Sequence, residues 1–383
     1  EISACLVGSE MCIRDSPELE MFAALMCLLG IWLALTLPKP GQTLLGKQLW
    51  KRAAIYCLLG LLVGLALWVD LLAGPFVLGI GLLLWFLNRQ ELKSRLGLSL
   101  LLGLIVGAFP LIYYNLTAPW TENSLFVLFG LNHSGAAQML ASHLTWVNQF
   151  TGTFFIALPM ATSGAWNCPL STIPPSGSPT PATLPCVLAQ SVWGLGYLAL
   201  GLLAGALAIY AIRQAYRRWR AGLAVGESPA WEERQAAIRW CGQLVVLVGV
   251  GLTLLLYAIS PSPAAYPDTS FRYLTCLFLA LPVLLWPLWQ RLSTRKLSAK
   301  WVLWAAVLLL VVVTLLSGTV KTLLQMPTTQ ARYEQQQALV QDLLHVNATR
   351  LYTDYWTCNI LIYLSQEKII CSALDTSMNP AQD

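Results

Sequence analysis

Charge is what this chain lacks first. Asp, Glu, Lys and Arg make up 11% of its 383 residues, against about a quarter in an ordinary soluble domain. That shortage excludes a water-facing globular surface over most of the length. Histidine is nearly absent as well, with only His133, His143 and His345 in the chain. No Cys/His metal spacing, no CxxC pair and no Walker loop occurs, so the sequence carries no signature of a zinc site or a phosphate-cradling NTPase. A Ser-His-Asp triad has no nucleophile motif to support it. No cofactor is expected, and a divalent metal requirement is left open.

Apolar residues are what the chain has in quantity, 57% of it. They gather in runs of about 18 or more, enough to cross a ~30 Å hydrocarbon core as helices. The fold class expected is an all-α polytopic membrane protein of about eight transmembrane helices, with a small α/β unit at the C-terminal end. Helices are predicted at about 19–37, 53–70, 74–88, 96–116, 189–212, 240–259, 272–290 and 301–320.

Charge then orients the spans. After residue 16, every Lys and Arg except Arg272, Lys321, Arg332, Arg350 and Lys368 falls in alternate connections, within 39–52, 89–95, 213–239 and 291–300. By the positive-inside rule those connections are cytoplasmic. The net charge of +5 is thus spread over loops, and no nucleic-acid partner is expected. The alternation needs 117–188 to lie wholly outside. Phe150–Ala161, too short to span, is then re-entrant or interfacial. The expected division is a transmembrane domain over 17–323 and an extracytoplasmic, incomplete tail over 324–383, in a multi-pass plasma (inner) membrane protein. Residues 1–16 stand apart. Leu6-Val-Gly-Ser-Glu-Met-Cys-Ile-Arg-Asp15 resembles the in-frame translation of a transposon-based sequencing adaptor and is set aside from fold reasoning. The rest is expected to begin near Pro17, with its true N-terminus upstream.

Arg272 is the one Lys or Arg in an outer connection between two spans. Other polar residues gather at the same outer ends: Asp70 after the second span, Tyr113-Tyr114-Asn115 after the fourth, and Asp268 and Tyr273 beside Arg272. A site built from them would suit a substrate with a membrane-embedded tail and a polar head. Each also has a plainer role. The tyrosines can anchor in the aromatic belt, and Asp70 can be a solvated turn residue. Arg272 can snorkel while paired to Asp268 at i, i+4, or bind phosphate bidentately. The 117–188 segment adds Trp120, Glu122, Asn132, His133, His143, Trp146, Asn148 and Trp166, which suit either sugar stacking or an interfacial helix. Asn115-Leu-Thr, Asn132-His-Ser and Asn347-Ala-Thr match the glycosylation sequon, a triplet common by chance.

Cys27, Cys57, Cys241 and Cys276 fall within spans, where a buried thiol is the default. Cys168 and Cys186 flank the outer Pro/Ser/Thr-rich stretch Ser171–Thr183, and either close it as a disulfide or stand as free thiols. In the tail, Gln330–His345 reads as an amphipathic helix, Thr349–Thr353 as a strand, Tyr355–Leu364 as a helix and Lys368–Ala373 as a second strand. That order predicts a small parallel βαβ unit.

Three pieces together resemble one family. They are Gly60-Leu-Leu-Val-Gly64-Leu-Ala-Leu-Trp68 with Gly107-Ala-Phe-Pro110-Leu-Ile-Tyr-Tyr-Asn115-Leu; Asp268 with Arg272-Tyr273-Leu274; and Tyr352-Thr-Asp354-Tyr355-Trp356 with Leu364-Ser-Gln-Glu367-Lys-Ile-Ile. The chain resembles the C-terminal part of GT-C type membrane glycosyltransferases, of the polyprenyl-phosphate-mannose protein mannosyltransferase and aminoarabinose transferase sort. The resemblance implies a polyprenyl-phosphate-linked sugar donor, an acceptor of unknown kind and inverting transfer on the outer face. It also implies a general-base acid in a first outer loop that does not occur in this sequence, so that the piece in hand would be inactive by itself. Arg272 and Tyr273 would contact the donor phosphate or head group, with Asp268, Asp70, Tyr114 and Asn115 as further substrate contacts. A lipid-linked-sugar flippase, a scaffold or a polysaccharide ligase are the competing readings. A flippase should carry polar residues through the bilayer centre, where these spans are nearly bare.

Overall fold

The computed structural model describes residues 15–38, 46–119, 123–124, 145–163, 184–225, 231–265, 267–293 and 299–374. It divides into two compact units at Leu315/Leu316. The first is helical throughout its described residues: α1 (Asp15–Leu35), α2 (Lys47–Val69), α3 (Gly74–Leu87), α4 (Arg95–Gly107), α5 (Phe109–Thr117), α6 (Leu184–Val225), α7 (Trp231–Ile259), α8 (Leu281–Leu292) and the start of α9 (Ala299–His345), with shorter helical pieces between.

Among the described residues, five helices are long and apolar enough to cross a membrane, or six if the bent pair α4–α5 is one span. The other two predicted spans form shorter apolar helices, Glu20–Leu35 and Leu71–Leu87. Several helices outrun their apolar stretch. α6 continues through Arg213–Arg218, and α9 runs unbroken through the Gln-rich region where a separate tail helix was expected. Ala, Gln, Arg and Glu are strong helix formers, so a helix started in an apolar run propagates into them at little cost.

Two glycine pairs set the packing of α2 on α4. A Cβ on Gly60 would fall on the Leu100 carbonyl, on Gly103 on the Cys57 carbonyl, and on Gly107 on the Leu61 carbonyl; on Gly64 it would stand 2.5 Å from the Leu104 carbonyl and the Ala108 nitrogen. Helices α2 and α4 therefore meet backbone to backbone, as paired small-xxx-small faces allow. Directly after this seam the chain bends by 57° between α4 and α5. Pro110, in the first turn of α5, lacks the N–H that would continue the α4 ladder, and its ring crowds the preceding turn.

Arg52, expected in a cytoplasmic loop, lies inside α2 and is 6% exposed. The helix starts earlier than its apolar run, and the guanidinium caps the end of α1. Its Nε donates to Glu91 Oε1 at 2.6 Å and its Nη2 to Glu91 Oε2 at 2.8 Å. The remaining donors reach the Leu33 carbonyl, the Thr36 carbonyl and the Thr36 hydroxyl at 2.9–3.0 Å. All five guanidinium N–H groups thus have acceptors, and two of these are carbonyls that the end of a helix leaves open. Tyr56 OH and Asn88 Nδ2 also donate to Glu91 Oε2, at 2.7 and 3.2 Å. The cluster ties α1, α2 and the turn after α3 together at the ends that the charge pattern assigns to the cytoplasm.

Phe271–Ala280 was expected to open an α-helical span, but it is a 3-10 helix. Its apolar residues recur every third position, so Leu274, Leu277 and Ala280 bury completely along one ridge. Pro282, in the first turn of α8, marks the change back to α geometry. The predicted re-entrant piece is a helical run of three parts, Trp146–Thr151, a π-helical Gly152–Ala157 and Leu158–Ser163. It packs into the bundle. A Cβ on Gly152 would fall on the Pro263 carbonyl and one on Gly194 on the Phe154 carbonyl, while Ala157, Leu158 and Ala161 join the main core.

The second unit holds the end of α9, β1 (Arg350–Thr353), α10 (Tyr355–Leu364) and β2 (Ile370–Ala373). The strands pair in parallel with Arg350 opposite Ile370, the βαβ order read from the sequence. Val340, Leu361 and Ile369 form the core, with Leu343, Leu344, Leu351 and Leu364 around it. Leu339, on the same helix as Val340, is exposed. Asp354 caps α10 by accepting from Thr357 N at 3.1 Å. Cys358 and Cys371 form a disulfide joining α10 to β2, with Cα atoms 5.4 Å apart, a bridge that the sequence reading did not anticipate.

Candidate functional site

The 3-10 helix Phe271–Ala280 positions Arg272 and Tyr273. Both are half-buried, with the Arg272 guanidinium 5.4 Å from the Tyr273 ring centroid. A guanidinium over an aromatic face is attracted by the ring's quadrupole, which helps to hold it in place. The Arg272 carbonyl accepts from Thr275 Oγ1 at 3.1 Å. Just before it, Tyr257 and Ser270 share a buried hydroxyl–hydroxyl hydrogen bond of 2.6 Å, which fastens the end of α7 to the start of the 3-10 helix. The Asp268 side chain, the expected i, i+4 partner of Arg272, lies outside the described residues.

Asp70 is not a solvated turn residue. It is 8% exposed and caps the 3-10 turn Leu71–Ala73, its Oδ1 accepting from Leu72 N at 2.8 Å. Burial follows from its place between two apolar helices with one oxygen already engaged. Glu20 stands on α1, which packs against both the 3-10 turn that Asp70 caps and the 3-10 helix that carries Arg272. Glu20 was not singled out by sequence. An acid at the edge of an apolar run was its available signal.

Tyr114 and Asn115 lie on α5, after the bend. Asn115 folds back on its own chain: its Nδ2 donates to the Leu111 carbonyl at 2.8 Å, its Oδ1 accepts from Ser124 N at 2.9 Å, and its carbonyl accepts from Asn123 Nδ2 at 3.3 Å. Its amide is thereby committed to holding the chain just after α5. Tyr114 is half-buried and Tyr113 exposed, so the belt role fits Tyr113 better. The glycines of the family-like stretch are likewise engaged, in the α2–α4 seam.

Polar groups deep in the bundle had no sequence-based role. Trp193 Nε1 donates to Thr162 Oγ1 at 2.9 Å, and Tyr197 OH donates to the Leu277 carbonyl at 2.7 Å. Gln190 is 1% exposed, and neither its amide oxygen nor its nitrogen has a hydrogen-bond partner. A lone amide in the apolar run Val187–Leu203 is a legible signal, since polar side chains inside spans are costly.

The four cysteines expected as thiols within spans, Cys27, Cys57, Cys241 and Cys276, are free. Cys186 is disulfide-bonded, and Cys168 lies outside the described residues. Among the described residues no group of three or more His, Cys, Asp or Glu is arranged to hold a metal ion. Compared with protein-family models, curated proteins and solved structures, the chain matches none.

Proposed function

We propose that this chain is the donor-binding part of an integral-membrane glycosyltransferase, which moves a sugar from a polyprenyl-phosphate-linked donor to an acceptor at the outer face of the inner membrane. The observation that carries the reading is Arg272. It is the one basic residue in an outer connection between spans, and it is set over Tyr273 at the end of a 3-10 helix. A sugar-phosphate leaving group gains negative charge as the glycosidic bond breaks, and a preorganised guanidinium stabilises that charge. The polyprenyl tail, held in the bilayer, leaves only the head group to orient. A carboxylate, either one in this chain or one supplied elsewhere, must take the acceptor hydroxyl proton.

Sidedness supports the reading. Cys186 and the Cys358–Cys371 pair are disulfide-bonded, and both stand in segments that the charge pattern puts outside, where disulfides persist. The buried charges Arg52 and Glu91 belong to the opposite ends of the helices and neutralise each other, so they do not favour a polar path for a flippase. A polysaccharide ligase would use the same lipid-phosphate chemistry.

Polyprenyl monophosphate should bind the purified chain in nanodiscs. Arg272→Ala should weaken that binding about tenfold or more, since a charge-assisted pair contributes roughly 1.5–3 kcal/mol. Arg272→Lys should retain part of it, losing the bidentate geometry. Equal binding by wild type and Arg272→Ala would leave Arg272 an interface anchor and remove the support for this function.

A further inference from the structure

We infer that Gln190 is the sugar-reading residue of the Arg272 site, an inference that rests on the donor-binding function proposed above. Gln190, Gly194 and Tyr197 lie at i, i+4 and i+7 of α6 and are all buried, so they share one face. That face is located by two contacts. Gly194 sits against the Phe154 carbonyl, and Tyr197 OH donates to the Leu277 carbonyl. It therefore looks onto the 146–163 segment and the 3-10 helix.

Depth follows from the Tyr197–Leu277 bond. On α6, Gln190 stands seven residues before Tyr197, about 10 Å along an α-helix. On the 3-10 helix, Arg272 stands five residues before Leu277, about 10 Å at the longer 3-10 rise. Both elements run inward from the outer side in the charge-based topology. The amide and the guanidinium are thus at one depth on two elements joined by that hydrogen bond.

The chemistry of Gln190 fits this placement. A buried side-chain amide offers two donors and one acceptor, and one left unsatisfied in an apolar span is destabilising. Its neighbours do not use it, because Trp193 Nε1 is engaged by Thr162 Oγ1. A sugar hydroxyl both donates and accepts and complements the amide, whereas a phosphate complements the Arg272 guanidinium. One lipid-phosphate sugar would meet both residues, its phosphate at Arg272 and a ring hydroxyl at Gln190. A neutral amide in that position recognises the sugar and adds nothing for the bare phosphate.

The test uses the full chain in nanodiscs with two probes, polyprenyl monophosphate and polyprenyl-phosphate-hexose. Wild type should bind the hexose-bearing lipid more tightly than the monophosphate. Gln190→Leu should weaken the hexose-bearing lipid about tenfold, leave the monophosphate unchanged and raise Tm, since leucine removes the unmet amide. Arg272→Ala should weaken both. If Gln190→Leu raises Tm but binds both lipids as wild type does, Gln190 is only a strained core residue and the inference fails while the donor-binding function stands. If wild type binds neither lipid, or binds them without any effect of Arg272→Ala, the donor-binding function itself fails and takes the inference with it. Should Gln190→Leu not fold, Gln190→Met is read instead: a neutral thioether of similar length should also selectively weaken the hexose-bearing lipid, and equal weakening of both would overturn the inference.

Discussion

Arg52→Leu should destabilise the helical unit by about 3–5 kcal/mol, the cost of breaking a buried ion pair from one side. The substitution leaves Glu91, itself 9% exposed, as a buried carboxylate whose counter-charge is gone. It also takes the Arg52 donors from the Leu33 and Thr36 carbonyls at the end of α1, of which Leu33 keeps Asn88 Nδ2 at 3.3 Å. Tyr56 and Asn88 would still donate to Glu91, but neutral donors do not replace a charge. Glu91→Leu should be comparably damaging, because it strands the guanidinium. The double variant should be less damaging than the sum of the two, since an apolar pair of similar volume removes both desolvation costs together. Thermal unfolding of the four proteins in detergent checks this. Single variants that melt within a degree or two of wild type would mean that water reaches the cluster and that it is no lock.

Gly103→Leu carries the second large effect. Its new Cβ would land on the Cys57 carbonyl, and the neighbouring Gly107 and the facing Gly60 are equally close to backbone. Backbone cannot step aside as a side chain can, so α2 and α4 must separate and lose contact along the whole seam. A cost at or above the usual 1–3 kcal/mol of overpacking is expected. Gly205→Leu is the matched control, because a Cβ there meets nothing within 4 Å, and the change should be neutral or slightly stabilising through helix propensity. Unfolding of Gly103→Leu should shift far below that of Gly205→Leu, and equal shifts would show that the helices do not pack this closely.

The sequence made some of this legible and hid the rest for identifiable reasons. Apolar runs located the long apolar helices of the first unit, because length and hydropathy are local properties, and missed the short pieces between them, such as Arg89–Leu92 and Ser262–Ala265. They did not give the ends. Helix α2 begins at Lys47, ahead of its apolar stretch, and α9 runs to His345, since helix propensity carries past the apolar run. The same habit of reading cations as loop markers misplaced Arg52, whose partner Glu91 is 39 residues away and whose burial depends on three segments meeting. The 3-10 geometry of Phe271–Ala280 was legible in its three-residue apolar repeat but was masked by overall hydropathy. The parallel strands of the tail were anticipated from order alone, whereas the Cys358–Cys371 bridge needed the α10–β2 packing to bring 13 residues of separation down to bonding distance. Of the candidate site, Arg272 and Tyr273 stand together, Asp70 is buried as the cap of its own turn, and Asn115 is occupied with its own loop. Gln190 became interesting only when its burial was known.

Everything proposed about function depends on Arg272 facing the outer side. The direct measurement is labelling of Arg272→Cys by a membrane-impermeant maleimide in right-side-out vesicles, with Ser293→Cys, exposed just after α8, as the opposite-side control and the unsubstituted chain as background. Labelling of Arg272→Cys in sealed vesicles, with Ser293→Cys labelled only after permeabilisation, is the predicted result. The reverse pattern would put Arg272 on the inner side and contradict the account.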